Sequence, residues 1–210
     1  MKLVPASAAA VLLVLAAPAA AVPRTVPLAA HSLGVNALEV SAFGGYGALL
    51  RNPNERGASL SRWNGGGAFA GGVTYRSPYF LRVLSPFFDI GYYPLYRSRS
   101  LVDLGALGGD SAVSSSLAAL GVAVGWAADL GPIRVRAGLA LYDVLVTSSL
   151  EGAHITASEL DGGYLFSVSG SLLRRPSIEI GAELRLGLIV EADLPFVAVG
   201  STVRGKAISW

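Results

Sequence analysis

The chain has 210 residues, of which 52% are hydrophobic and 14% charged, and its mean hydropathy is +0.54. Since a soluble domain carries about 25% charged residues, this composition excludes disorder and argues against a water-soluble globule. The 16 Lys and Arg nearly balance the 14 Asp and Glu, so no basic field indicates nucleic acid as a partner. The chain has no Cys, which excludes disulfides, thiolate metal sites and a lipid anchor on Cys.

Residues 1–21 predict a secretory signal peptide cleaved after Ala21, because an apolar stretch is followed by an Ala-x-Ala tail. An N-terminal membrane anchor is the alternative. It is disfavoured because Pro18 interrupts the apolar stretch, which is shorter than the roughly 20 residues of a spanning helix. We therefore predict a signal peptide at 1–21, an N-terminal extension at 22–34 and a folded domain at 35–210.

The remaining chain alternates apolar and polar residues with a period of two, which is typical of strands with two different faces. From Ile133 the odd positions are apolar, and from Ile178 to Val190 the even positions are apolar. Six further segments with this pattern complete a set of eight predicted strands. The segments are 38–50, 65–76, 87–96, 120–126, 133–142, 164–172, 178–190 and 196–210.

The predicted connectors alternate in length, as in a barrel with short periplasmic turns and longer external loops. The long ones are 51–64, 97–112 and 148–162, the short ones are 129–132, 174–177 and 191–195, and the link between 76 and 86 is left open. We predict an all-β fold, an eight-stranded antiparallel up-and-down transmembrane barrel with both termini on the periplasmic side. A soluble eight-stranded carrier is the alternative, but its surface would require far more charge.

Charged residues at the opposite parity of the strands are predicted to lie inside the barrel as a network of ion pairs. They are Glu39, Asp89, Arg134, Arg136, Glu179, Glu183 and Arg185. Buried charges require partners, and we expect Arg134 and Arg136 to pair with Glu179 and Glu183. The network is either a structural plug or a gated path for ions or small solutes, and the narrow interior of an eight-stranded barrel favours the plug.

The cleavable signal, the eight amphipathic strands, the absence of Cys and the terminal Ile208 and Trp210 resemble the small outer-membrane β-barrels of Gram-negative bacteria, of the OmpA/OmpX type. The resemblance implies that Ile208 and Trp210 belong to a signal read by the barrel-assembly machinery. It also implies a monomer surrounded by outer-membrane lipid and lipopolysaccharide. Arg204 and Lys206 share the parity of Trp210, so either a bulge at Gly205 switches the faces or the cations lie at the interface.

The sequence predicts no catalytic, cofactor or metal site, since no phosphate loop, nucleophile elbow or cluster of metal ligands is present. His154, Thr156, Ser158 and Glu159 lie in a predicted loop and resemble the His, Ser and Glu of lipid A deacylases, although Thr156 replaces the serine. We therefore predict a non-enzymatic outer-membrane barrel with a structural or surface-interaction role. A narrow channel for ions or small or hydrophobic solutes and a lipid A-modifying enzyme are the alternatives.

Overall fold

The computed structural model describes residues 36–50, 65–77, 84–103, 110–150, 153–175 and 177–209. The predicted signal peptide and its cleavage site, the extension at 22–34, the connector at 51–64 and Trp210 lie outside the described residues. Eight strands form a closed antiparallel barrel in which each strand pairs with the next and the last pairs with the first. The strands are β1 (Ala37–Leu49), β2 (Gly66–Arg76), β3 (Leu84–Asp103), β4 (Asp110–Leu130), β5 (Ile133–Leu150), β6 (Ala153–Arg174), β7 (Ile178–Ile189) and β8 (Leu194–Ser209).

The up-and-down order confirms the predicted eight-stranded antiparallel barrel. Because β1 begins and β8 ends at the same end, we call it the terminal end and the other the opposite end. At the terminal end, β4 and β5 are joined by Gly131 and Pro132, with Gly131 at φ 69°, a conformation that glycine adopts without steric cost. At the opposite end, β7 and β8 are joined by a turn in which Asp193 N donates to Val190 O at 3.2 Å. None of the described segments is a helix long and apolar enough to cross a membrane.

Four strands are much longer than predicted, and the long connectors expected at 97–112 and 148–162 are therefore wrong. The strands β3 to β6 have 18 to 22 residues, whereas β1, β2, β7 and β8 have 11 to 16. In this added length hydroxyl side chains also pair across the strands, as Ser114 and Ser149 do at 2.5 Å. We call the part of β3 to β6 beyond the shorter strands the tall wall. The acidic and basic residues of 97–112 and 148–162 made these segments resemble loops.

Alternation along each strand separates an inner from an outer face. Charged and small side chains are buried inside, where Arg185 is 1% exposed and Glu183 is 2% exposed. Large apolar side chains lie outside, where Leu139 is 63% exposed and Phe69 is 62% exposed. A water-soluble barrel has the opposite distribution of charged and apolar side chains. Exposed apolar area is unfavourable in water, and buried charge is unfavourable without partners.

Two pairs of glycines let neighbouring backbones approach closely. Gly45 faces Gly200 between β1 and β8, and Gly125 faces Gly138 between β4 and β5. A Cβ on Gly45 would lie 2.3 Å from Val199 O, and a Cβ on Gly125 would lie 2.2 Å from Ala137 O. The two seams are four strands apart in a ring of eight, so they lie on opposite sides of the barrel, and glycine is the residue at which barrel walls bend tightly.

The last strand changes face at Ala207, two residues after Gly205. The register joins Glu39 to Lys206 but Leu38 to Ile208, so the extra residue is Ala207. Of the two alternatives for this strand, a bulge at Gly205 is therefore excluded, because Gly205 pairs regularly with Val40. Arg204 faces the interior, and the bulge turns Ile208 outward beside Leu38.

Candidate functional site

The interior nearest the terminal end holds a group of four charged side chains from β1, β2, β4 and β5. Arg134 contacts Glu39 with both terminal guanidinium nitrogens and Asp129 with Nε at 2.6 Å. Arg76 Nη2 lies 3.0 Å from Glu39 Oε2 and 2.8 Å from Asp129 Oδ2. Two carboxylates thus neutralise two guanidiniums, and each arginine contacts both carboxylates.

A second group lies at the same end on β6, β7 and β8. Arg204 Nη1 donates to Glu179 Oε1 at 2.8 Å, and its Nη2 donates to Ser169 Oγ. Arg174 Nη2 approaches the other oxygen of Glu179 at 3.3 Å from the solvent side, with its side chain 50% exposed. Glu179 therefore forms ion pairs with one buried and one exposed arginine.

The third group lies farther along the axis and is almost wholly buried. Arg185 Nη1 donates to Asp89 Oδ1 at 2.8 Å, and Arg185 Nε lies 2.9 Å from Glu183 Oε1. Arg136 contacts the same two carboxylates, Asp89 at 3.2 Å and Glu183, and donates to Ser167 Oγ at 3.1 Å. Each arginine thus bridges both acids, a task suited to its planar, permanently charged fork.

We call these three groups together the ion-pair layer. Its buried and half-buried members are five arginines and five carboxylates, so the layer is balanced in charge. They are Arg76, Arg134, Arg136, Arg185, Arg204, Glu39, Asp89, Asp129, Glu179 and Glu183. Balance matters because an unpaired charge in a dry interior costs several kcal/mol.

An aromatic layer of Tyr93, Tyr142 and Phe196 closes the interior on the side of the opposite end. The Tyr93 and Phe196 rings are 5.0 Å apart, and Tyr142 meets Phe196 edge-on at 5.6 Å. The Tyr93 hydroxyl accepts from Arg185 Nη1 at 2.9 Å, which joins the two layers. The Arg185 guanidinium also lies 4.5 Å from the Phe43 ring centre, within the range of a cation–π interaction.

Each aromatic ring of this layer lies where a glycine leaves room for it. A Cβ on Gly187 would lie 2.1 Å from the Phe196 ring, and one on Gly91 would lie 2.4 Å from the Tyr93 hydroxyl. The Tyr142 ring lies in the same way against Gly121, where a Cβ would come within 2.6 Å. The glycines of the inner face therefore make space for large rings in a narrow barrel.

The seven residues predicted from parity all lie on the inner face, but their pairing differs in part from the expectation. Arg136 contacts Glu183 as expected, whereas Arg134 pairs with Glu39 and Asp129 in place of Glu179. Sequence reasoning missed Arg76, Asp129, Arg204 and Tyr93. Their inward parity was readable in the sequence, although the bulge at Ala207 disguised that of Arg204.

The residues that resembled a deacylase site lie on β6 of the tall wall, so the predicted loop is wrong. All four are exposed. The inward positions of β6 are odd, as buried Asp161 and Ser167 show, so His154 and Ser158 project outward and Glu159 projects inward. A base and a nucleophile on one face cannot use a carboxylate on the other. Among the described residues, no group of His, Asp and Glu has the geometry to hold a metal ion.

Comparison with known proteins gives structural but no sequence relatives. No protein-family model matches the chain, and no curated protein matches it. The attachment invasion locus protein Ail of Yersinia pestis is 10% identical, with 84% of this chain and 99% of that chain covered at a TM-score of 0.47. Neisserial surface protein A is 17% identical over 82% of this chain and 97% of its own, at a TM-score of 0.39. The N-terminal β-barrel domain of Pseudomonas aeruginosa OprF is 12% identical, with 84% of this chain and 98% of that chain covered at a TM-score of 0.39.

Proposed function

We propose that this protein is an integral outer-membrane β-barrel with a plugged interior and a structural or surface-interaction role. The observation that carries the proposal is the reversal of the two faces, with charges buried inside and large apolar side chains exposed around the barrel. Lipid is the solvent that such an exterior suits. In this setting the surroundings are outer-membrane lipid and lipopolysaccharide, and the barrel-assembly machinery is the partner that inserts the chain.

The length of the shorter strands supports a barrel in which each strand crosses the membrane once. A tilted transmembrane strand needs about 9 to 11 residues, and β2 and β7 have 11 and 12. The tall wall continues beyond that length with hydroxyl pairs such as Thr147 with Thr156 at 3.4 Å. The hydroxyl groups of the tall wall are suited to water and to the sugars of lipopolysaccharide, so we propose the tall wall as the part that meets partners outside the cell.

The interior supports a plug rather than a channel. The ion-pair layer is balanced in charge, and the aromatic layer lies directly above it with Tyr93, Phe196 and Ile189 at 1% exposure or less. An ion would have to displace both layers to pass. The outward His154 and inward Glu159 give no support to a lipid-modifying enzyme.

Location is tested by expressing the full chain in a Gram-negative host. We expect the mature protein to begin at Val22, to fractionate with the outer membrane and to show the heat-dependent gel shift of a folded barrel. Recovery as a soluble periplasmic protein would overturn the proposal.

The plug is tested separately with purified protein in a planar lipid bilayer, where we expect no steady conductance. Stable conductance with an intact gel shift would keep the membrane barrel but replace the plug by a channel. Mass spectrometry of lipopolysaccharide after incubation with the protein should show unchanged acyl chains.

A further inference from the structure

Three cations lie together at the terminal end, and we call Arg174, Arg175 and Lys206 the basic rim. The segment that joins β6 to β7 contacts the end of β8, because Lys206 N donates to Ser177 O at 3.3 Å. Arg175 N donates to Ile178 O at 2.8 Å, which closes the same segment onto β7. The three side chains therefore start from two neighbouring backbone segments at one end of the barrel.

The basic rim has more positive charge than its surroundings neutralise. Arg174 shares Glu179 with the buried Arg204. Among the residues that the structure describes, no carboxylate pairs with Arg175 or Lys206. Counted over the described part of the terminal end, six cations face three carboxylates. They are Arg76, Arg134, Arg174, Arg175, Arg204 and Lys206 against Glu39, Asp129 and Glu179.

Apolar side chains on the outer face adjoin the basic rim. Leu172 is 67% exposed just before it on β6, and Ile208 is 58% exposed just after Lys206 on β8. Ile178, also exposed, lies between them at the start of β7. Cations at the edge of a lipid-facing surface are at the depth of lipid phosphates, and long cationic side chains reach that depth readily.

We propose that the basic rim binds the phosphate of an anionic phospholipid, with the acyl chains on Leu172, Ile178 and Ile208. The inference rests on the proposed membrane insertion. The excess of cations selects an anionic headgroup, and the adjoining apolar surface selects a lipid over free phosphate. Arginine and lysine supply donors that match phosphate oxygens.

The test uses full-length protein folded in bilayers of equal phosphatidylcholine and phosphatidylglycerol, followed by native mass spectrometry of the retained lipids. We expect wild type to retain phosphatidylglycerol preferentially. Removing both charges in R175Q/K206Q should lower that preference, by about fivefold for each cation. The matched control is Arg97→Gln, which removes an exposed cation of β3 toward the opposite end and should leave the preference unchanged.

Two further measurements separate the outcomes. The gel shift of every variant in pure phosphatidylcholine shows that it folds and inserts, so a folded wild type without lipid preference overturns the basic rim and leaves the proposed function intact. If the wild-type protein does not insert into bilayers, both the basic rim and the proposed function are overturned. Full displacement of the lipid by millimolar inorganic phosphate would contradict a lipid site. An equal loss of the phosphatidylglycerol preference in Arg97→Gln would show that the preference depends on overall charge and not on the basic rim.

Discussion

The ion-pair layer and the aromatic layer fill the same interior by different means. Both come from the same strands, since β7 supplies Glu183 and Arg185 to one and Gly187 to the other. The ion-pair layer is held by matched signs, so its members depend on one another. The aromatic layer is held by matched volumes, with rings against glycines. The interior of this barrel therefore holds charged side chains as a balanced set, and it holds large aromatic rings where the facing residue is a glycine.

The largest effect is expected from breaking the balance of signs. Arg136→Met removes a cation from Asp89 and Glu183, and we expect a loss of about 3 to 5 kcal/mol in the free energy of unfolding. The double variant with Glu183→Gln should cost less than the sum of the two single variants, because no surplus charge remains. Urea unfolding in lipid vesicles measures the coupling. A coupling energy near zero would show that the two side chains do not interact.

The next largest effect is expected from a charge placed on the outer face of the barrel, at the same depth as the ion-pair layer. Leu184 lies between Glu183 and Arg185 but faces outward and is exposed. Leu184→Arg should destabilise the folded barrel by about 2 to 4 kcal/mol in a bilayer, because the cation has lipid around it and no carboxylate partner. Ile178→Arg, at the end of β7, is the depth control and should cost much less. Equal costs at the two positions would mean that this face does not contact the bilayer core.

A smaller effect is expected from breaking the match of volumes. The added methyl group in Gly187→Ala would lie 2.1 Å from the Phe196 ring, and such overpacking costs about 1 to 3 kcal/mol. The control is Gly162→Ala on β6, where nothing lies within 4 Å of the new Cβ. Adding Phe196→Leu to Gly187→Ala should recover part of the loss in the same unfolding assay. If the two alanine variants unfold alike, the ring does not depend on the glycine.

The smallest effect is expected where the two layers meet. Tyr93→Phe keeps the ring against Phe196 but removes the hydroxyl that accepts from Arg185. We expect a loss of about 1 kcal/mol, because Arg185 retains Asp89 and Glu183 as partners. Thermal unfolding followed by the gel shift measures it. A loss as large as that of Arg136→Met would show that the layers are one cooperative unit.

Much of the fold was predictable because alternation reports directly which face a residue occupies. The inward Arg134, Arg136 and Glu183 could be read from β5 and β7 alone. Pairing partners could not, since the contact of Arg134 with Glu39 joins strands that are far apart in sequence. Strand ends were also missed, because the segments 97–112 and 148–162 hold much of the charged inventory and resemble loops, whereas the described parts of their backbones continue the ladder.

The glycine seam between β1 and β8 has a consequence for the order of assembly. It joins the first strand to the last, with Ala37 opposite Ser209, whereas β4 and β5 meet across a two-residue turn. Pairing across so long a stretch of chain has the largest loop-closure entropy in the molecule, so we expect this seam to form after the hairpins. Because Gly45 and Gly200 have no side chains, the two backbones can approach closely at this point of the final closure.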